Sequence, residues 1–188
     1  MQLNLRRLLS RENLRDDILE ERNICRMFLK MVQAVSVCHE RGIIHRDVKL
    51  ENFLVQATSP SNSEMDIKLS DFGIACMYDK VDPPSACSGS MVGIAPEVLS
   101  QVPYDFKVDC WSLGVILYEL LTLRHPFNPS PDSLDTFSSV LTDSPDFTDQ
   151  LSELSTNLLF LIVCTESSSI MLSELLNNRI EKDWTCFG

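Results

Sequence analysis

Residues 108–123 read VDCWSLGVILYELLTL, a run that is apolar on nearly every face of a helix. A helix lying on the surface of a core is apolar along one stripe, whereas one that is apolar all round must be buried in the core. The rest of the chain therefore has to supply elements that surround this segment. It is the longest apolar-rich run present, yet it is short and carries Asp109 and Glu119, so it is not a membrane span.

Ile24, Met27, Phe28, Met31, Val32 and Val35 fall at i, i+3, i+4, i+7, i+8 and i+11. That spacing predicts an amphipathic helix over residues 20–40, stopped by Gly42. Ahead of it, residues 1–17 are polar and charged with Leu3, Leu5, Leu8 and Leu9 interspersed, as in a short helix plus a turn. Ile43-Ile44 and Phe53-Leu54-Val55 are short β-like pieces, and Asp66 to Ser70 alternates polar and apolar as a strand does. Between them, residues 56–65 (QATSPSNSEM) show no period and are expected as a turn-rich connection.

Residues 71–97 contain Pro83-Pro84, Gly89 and Gly93 and no apolar period, and a loop of that length in a compact domain is usually functional. After a loop over residues 128–136, further helices are expected at 134–142, 151–164 and 172–183. Leu158–Val163 is a second buried stretch. No internal repeat or linker divides residues 1–188. The expected fold is a single, mostly α-helical unit around a central helix over residues 109–123, with a few short strands around residues 43–70.

A net charge of −11 argues against nucleic acid or an anionic membrane as the main partner and is compatible with basic peptides. The seven cysteines (25, 38, 76, 87, 110, 164 and 186) are odd in number and show no C-x-x-C spacing. They read as reduced thiols of a soluble intracellular protein, cytoplasmic or nuclear, and no secretory start is visible.

His45 to Asn52 reads HRDVKLEN: an acid, a cation two residues on, and an amide three residues beyond. Alone it could be a charged surface turn after Gly42. Asp71-Phe72-Gly73 follows Asn52 by nineteen residues, Ala95-Pro96-Glu97 begins twenty-four residues after Asp71, and Asp109-Cys110-Trp111-Ser112-Leu113-Gly114 begins twelve after Glu97. These four blocks resemble, in order and spacing, the catalytic loop (45–52), the two ends of the activation segment (71–97) and the buried helix of the protein kinase family. Lys49, two residues after Asp47, is the Ser/Thr pattern. Asp71–Ile74 and Trp111–Leu117 resemble calcium/calmodulin-dependent kinase relatives.

The resemblance implies a Ser/Thr protein kinase using ATP and Mg2+ to phosphorylate protein hydroxyls. It implies Asp47 as catalytic base and Lys49 as phosphate contact. Asn52 and Asp71 become magnesium ligands beside the nucleotide, and Leu54 the floor under adenine. Arg46 would receive a regulatory phosphate, for which Ser85 and Ser88 are the available hydroxyls, ordinary loop polarity being the other reading of both. Asp109 would brace the backbone of the catalytic loop. Asn52 and Asp71 are each expected just after a short strand, on rigid backbone.

The chain also departs from the family. Residues 1–44 contain one glycine (Gly42) and one lysine (Lys30), the latter inside the expected helix, so the glycine-rich phosphate loop and strand lysine of a kinase N-terminal lobe are missing. The expectation is a partial domain: the C-terminal lobe, with the β-rich N-terminal lobe absent. Ser90 stands where the family usually has Thr and keeps a hydroxyl able to bridge Asp47 and Lys49. Gly93 stands where Tyr is usual. Glu97 lacks its usual arginine near residues 166–171, so it is either solvated or a source of weakness. Two functions follow: the catalytic domain of a Ser/Thr kinase in truncated form, or a non-catalytic kinase-like binding module (pseudokinase).

Overall fold

The computed structural model describes residues 3–10, 20–59, 62–127 and 140–141. In chain order the elements are β1 (Leu3–Asn4), α1 (Leu5–Leu9), α2 (Glu21–His39), β2 (Ile43–Ile44), a 3₁₀ turn (Leu50–Asn52), β3 (Phe53–Ser59), β4 (Asn62–Leu69), β5 (Cys76–Met77), a second 3₁₀ turn (Met91–Gly93), α3 (Pro96–Leu99) and α4 (Lys107–Thr122). The helices expected over residues 20–40 and 109–123 and short strands around residues 43–70 are present, while β1, β5 and α3 were not expected. The helices expected at 151–164 and 172–183, the 128–136 loop and Leu158–Val163 lie outside the described residues. So does the 134–142 helix, apart from Val140 and Leu141, which are helical.

The apolar run forms α4, and Leu113 at its middle is fully buried, with Leu117 and Leu120 nearly so. Against it packs the predicted stripe of α2, whose six members Ile24, Met27, Phe28, Met31, Val32 and Val35 are all buried in the same core. Full burial of one such side chain is worth about 1.5–3 kcal/mol, so this helix pair holds most of the core's cohesion. Leu5 and Leu8 of α1 join it, and Asn4 caps α1 by accepting the Arg7 N–H at 2.9 Å. Residue Leu123 ends α4 in the left-handed conformation (φ 59°), the place where glycine is commoner. Three residues beyond α2, Gly42 takes φ 72° and turns the chain into β2.

The expected turn-rich connection over residues 56–65 is corrected. β3 and β4 run through most of it as an antiparallel hairpin, in register from Phe53↔Leu69 to Ser59↔Asn62 with an irregularity between Ala57 and Ser59. Inter-strand hydrogen bonding fixes this backbone, and that pairing leaves no signature in a stretch without side-chain alternation. A second correction concerns Asn52, which precedes β3 and closes the 3₁₀ turn instead of following a strand. Only Asp71 comes after one. Because Phe53 faces Leu69 across the hairpin, the residues just outside that pair still meet: the Asn52 carbonyl accepts both the N–H (2.9 Å) and the hydroxyl (2.8 Å) of Ser70.

Candidate active site

The loop between β2 and β3 rests on one buried carboxylate. Asp109, in the first turn of α4 and fully buried, accepts the backbone N–H of His45 on Oδ2 and that of Arg46 on Oδ1, each at 2.8 Å. His39, at the end of α2, donates its Nε2–H to the same Oδ2 at 2.8 Å. Three donors on one carboxylate satisfy its lone pairs, which is the condition for burying it at all. The chain then enters the left-handed region at Arg46 (φ 66°), which aims Asp47 back across the loop.

Asp47 and Lys49 are brought together as the sequence predicts. Asp47 Oδ2 is 2.7 Å from Lys49 Nζ and 3.1 Å from Asn52 Nδ2, and its Oδ1 accepts the Ser90 N–H at 3.0 Å. Burial alone would raise this carboxyl. The hydrogen bonds from Lys49 and Ser90, the Lys49 charge and the Asn52 amide outweigh it and hold the acid below its ordinary range. Asp47 is therefore an anion at neutral pH. The expected hydroxyl bridge from Ser90 is corrected in part: Ser90 Oγ meets Lys49 Nζ at 2.5 Å, but Ser90 reaches Asp47 through its backbone N–H. Asp47 and Lys49 already touch directly, so no bridge between them is required.

Asn52 is buried, and its Nδ2 also donates to the Asp47 carbonyl at 2.8 Å. That commits the amide nitrogen to Asp47 and turns Oδ1 away from it, with no donor to Oδ1 among the described residues. Asp71 takes φ 65°, is exposed, and accepts the Gly73 N–H on Oδ1 at 3.3 Å. His45 ties the two sides together. It accepts the Asp47 N–H on Nδ1 (3.3 Å), which makes Nε2 the protonated nitrogen, and Nε2–H donates to the Ser70 carbonyl at 3.1 Å. The ring stands edge-on to Phe72, centroids 4.7 Å apart. Leu54 is half-buried beside the fully buried Phe53, and strand alternation puts it on the opposite face of the hairpin from the core.

The profile of the family described as "Protein kinase domain" matches residues 1–186. The chain is 33% identical over 171 residues to the calcium/calmodulin-dependent protein kinase type 1 of Macrobrachium nipponense, covering 88% of this chain and 44% of that one. It is 42% identical over 124 residues to the serine/threonine-protein kinase zyg-8 of Caenorhabditis elegans, covering 65% of this chain and 15% of that protein. With the CBL-interacting serine/threonine-protein kinase 14 of Arabidopsis thaliana it shares 40% over 107 residues, 55% of this chain and 23% of the relative. The chain belongs to the serine/threonine protein kinase family. It spans less than half the length of each of these relatives.

In this kinase-family chain the structure also places Arg46, the two candidate serines and Glu97. Arg46 faces neutral groups: its Nε–H donates to the Ile74 carbonyl at 2.6 Å and Nη1 to the Tyr104 hydroxyl at 3.1 Å. Of the two candidate hydroxyls, Ser85 is exposed, while the Ser88 hydroxyl is buried with no partner among the described residues. Glu97, the acid expected to be solvated or costly, is partly exposed in the first turn of α3, where the helix dipole favours a negative charge.

Several site residues went unseen in the sequence. Arg6 of α1 donates Nε–H to Glu51 at 2.9 Å and pairs with Glu119 of α4, tying α1 to the 3₁₀ turn next to Asn52. His39 completes the set of donors on Asp109. Ser112 donates its hydroxyl to the Gly93 carbonyl at 2.7 Å, where a Cβ on Gly93 would lie 3.3 Å from the Val48 carbonyl. Each of these contacts joins residues far apart in sequence. The one available signal was polar residues, Glu119 and Ser112, inside an otherwise apolar helix.

Proposed function

We propose that this chain is the phosphotransfer lobe of a Ser/Thr protein kinase, moving the γ-phosphoryl group of ATP to a Ser or Thr hydroxyl of a protein. On this reading residues 1–188 form one partial kinase domain, the mostly helical C-terminal lobe, with the catalytic loop at 45–52 and the activation segment at 71–97. The observation that carries it is the convergence on the Asp47 carboxylate of Lys49 Nζ (2.7 Å), the Ser90 N–H (3.0 Å) and Asn52 Nδ2 (3.1 Å).

In the reaction, the substrate hydroxyl oxygen bonds to the γ-phosphorus as the bond to the β–γ bridging oxygen breaks, ADP departs, and the hydroxyl proton passes to Asp47. Asp47 is suited to this because its neighbours keep it ionised until the proton arrives, and because Ser90 and Asn52 fix its rotamer. Lys49 sits beside Asp47 and offers its remaining N–H to the oxygens of the group in flight. Mg2+ fits the pair Asn52 and Asp71: both offer hard oxygens, Asn52 Oδ1 has no donor among the described residues, and Asp71 is open to solvent. When bound it neutralises charge on the phosphate oxygens. Leu54, on the hairpin face away from the core, is the floor under adenine.

The partners on this reading are nucleotide and Ser/Thr-bearing protein, not nucleic acid or membrane, in a soluble intracellular setting. No helix among the described residues is long and apolar enough to cross a membrane. Lys30 lies within α2, so it cannot act as a strand lysine on the phosphates, and residues 1–188 by themselves carry no glycine-rich loop. Each missing preorganised donor costs roughly 10²–10³ in rate. We therefore expect slow turnover from residues 1–188 alone. The test is a peptide phosphorylation assay with Mg2+ and ATP, on residues 1–188 alone and on the same residues joined to the nucleotide-binding lobe of a related kinase. Turnover in the joined form supports the reading. Peptide binding without turnover in either form would favour the non-catalytic module.

A further inference from the structure

Residues 74 to 89 are held to Arg46 at both ends. At one end the Arg46 Nε–H donates to the Ile74 carbonyl (2.6 Å). At the other, Nη1 donates to the Tyr104 hydroxyl (3.1 Å), which donates onward to the Ala86 carbonyl (3.0 Å), while the Tyr104 N–H donates to the Pro84 carbonyl (2.9 Å). Tyr104 is itself buried among Ile44, Val98 and Val108, and Arg46 is anchored through its backbone N–H to Asp109. Just beyond Ala86 the chain presses on Arg46: Gly89 takes φ 111°, and a Cβ there would lie 2.4 Å from the Arg46 carbonyl oxygen.

We propose that Tyr104 is a positioning residue whose hydroxyl clasps this segment to Arg46 with no phosphate on the chain. The inference rests on the kinase reading only for its meaning, that the segment beside Asp47 is assembled constitutively. The chemistry singles out a hydroxyl. It accepts from the guanidinium and donates to the Ala86 carbonyl at once, whereas a phosphate in its place could only accept and would face that carbonyl as an anion. The Ser88 hydroxyl is buried in the clasped form, so a modifying enzyme could reach it only after the clasp opens.

The test is structural, so its outcome does not depend on turnover. Amide hydrogen exchange at position 104 and tryptic cleavage after the exposed Lys80 are followed on phosphatase-treated chain, wild type and Tyr104→Phe. Phenylalanine keeps the buried ring and removes only the hydroxyl. The clasp predicts slow exchange and slow cleavage in the dephosphorylated wild type, and rates faster by about 5–10-fold in Tyr104→Phe, the equivalent of one lost hydrogen bond. Amides of α2 such as Met31 should be unchanged, which a general loss of structure would not leave. Arg46→Gln is the second arm. It should accelerate the same sites similarly, and the double variant should add less than about twofold, because both remove one linkage. Dephosphorylated wild type as fast as Tyr104→Phe, or Tyr104→Phe and Arg46→Gln both as slow as wild type, would overturn the proposal. A clasp found intact in a chain that fails to phosphorylate even when joined to a nucleotide-binding lobe would reject the catalytic reading and leave the clasp standing.

Discussion

The α2–α4 pair and the segment from Asp71 to Phe106 are held together by different physics. In the helix pair, apolar side chains at the helical period meet in a closed core. The segment has little apolar burial of its own before Ile94. Val81 is 93% exposed and Met77 67%, and its position depends on backbone carbonyls gripped by Arg46, Tyr104 and the loop around Asp47. Apolar contacts are individually weak and numerous, so the first region tolerates small changes in any one. The second depends on a few directional bonds. The catalytic geometry proposed here is built where these two regimes meet.

The largest way to break that contrast is Asp109, which stands in α4 and anchors the loop whose Arg46 grips the segment. Asp109→Ala removes the acceptor for His39, His45 and Arg46 together and leaves three buried donors unpaired. It should cost about 3–5 kcal/mol, read as a shift in the denaturation midpoint. Leu113→Ala, in the middle of α4, should cost ~2–5 kcal/mol by transfer and cavity terms, while Val81→Ser in the segment should stay within about 0.5 kcal/mol. Equal effects at Leu113 and Val81 would erase the distinction drawn here.

Acid titration sharpens the same comparison. The folded Asp47 carboxyl lies below its unfolded value of roughly 3.9. Its contribution to stability is therefore complete above pH ~4 and is lost as pH falls through the folded value. The stability difference between wild type and Asp47→Asn should shrink below pH ~4, whereas Leu113→Ala should show no such dependence. The smallest effect is chemical. Burial, with Asp109 and Asp105 nearby, pushes the Cys110 thiol up to about 12, while Cys87 in the segment is exposed. Alkylation at pH 8 followed by mass spectrometry should label Cys87 readily and spare Cys110, with little change in stability.

Both helices of the core were legible locally: Ile24 through Val35 display the helical period, and residues 108–123 are apolar on nearly every face. Asp47, Lys49 and Asn52 were legible as a motif, and the structure brings them together. The β3–β4 pairing over residues 56–59 and 62–65 was not, since its bonds are between backbones. Nor were the clasp at Tyr104 and the Arg6 ion pairs. They join residues 58 positions apart at Tyr104, and 45 and 113 apart at Arg6, and no local pattern encodes such pairings.

The most direct measurement of the central claim is phosphotransfer by wild type and Asp47→Asn, each joined to a nucleotide-binding lobe, with the melting curve recorded on the same samples. The account predicts a fall of at least about 10²-fold in the rate for Asp47→Asn, the scale of a lost general base, with the fold retained. An Asp47→Asn protein that stays folded and phosphorylates peptide at the wild-type rate would contradict it.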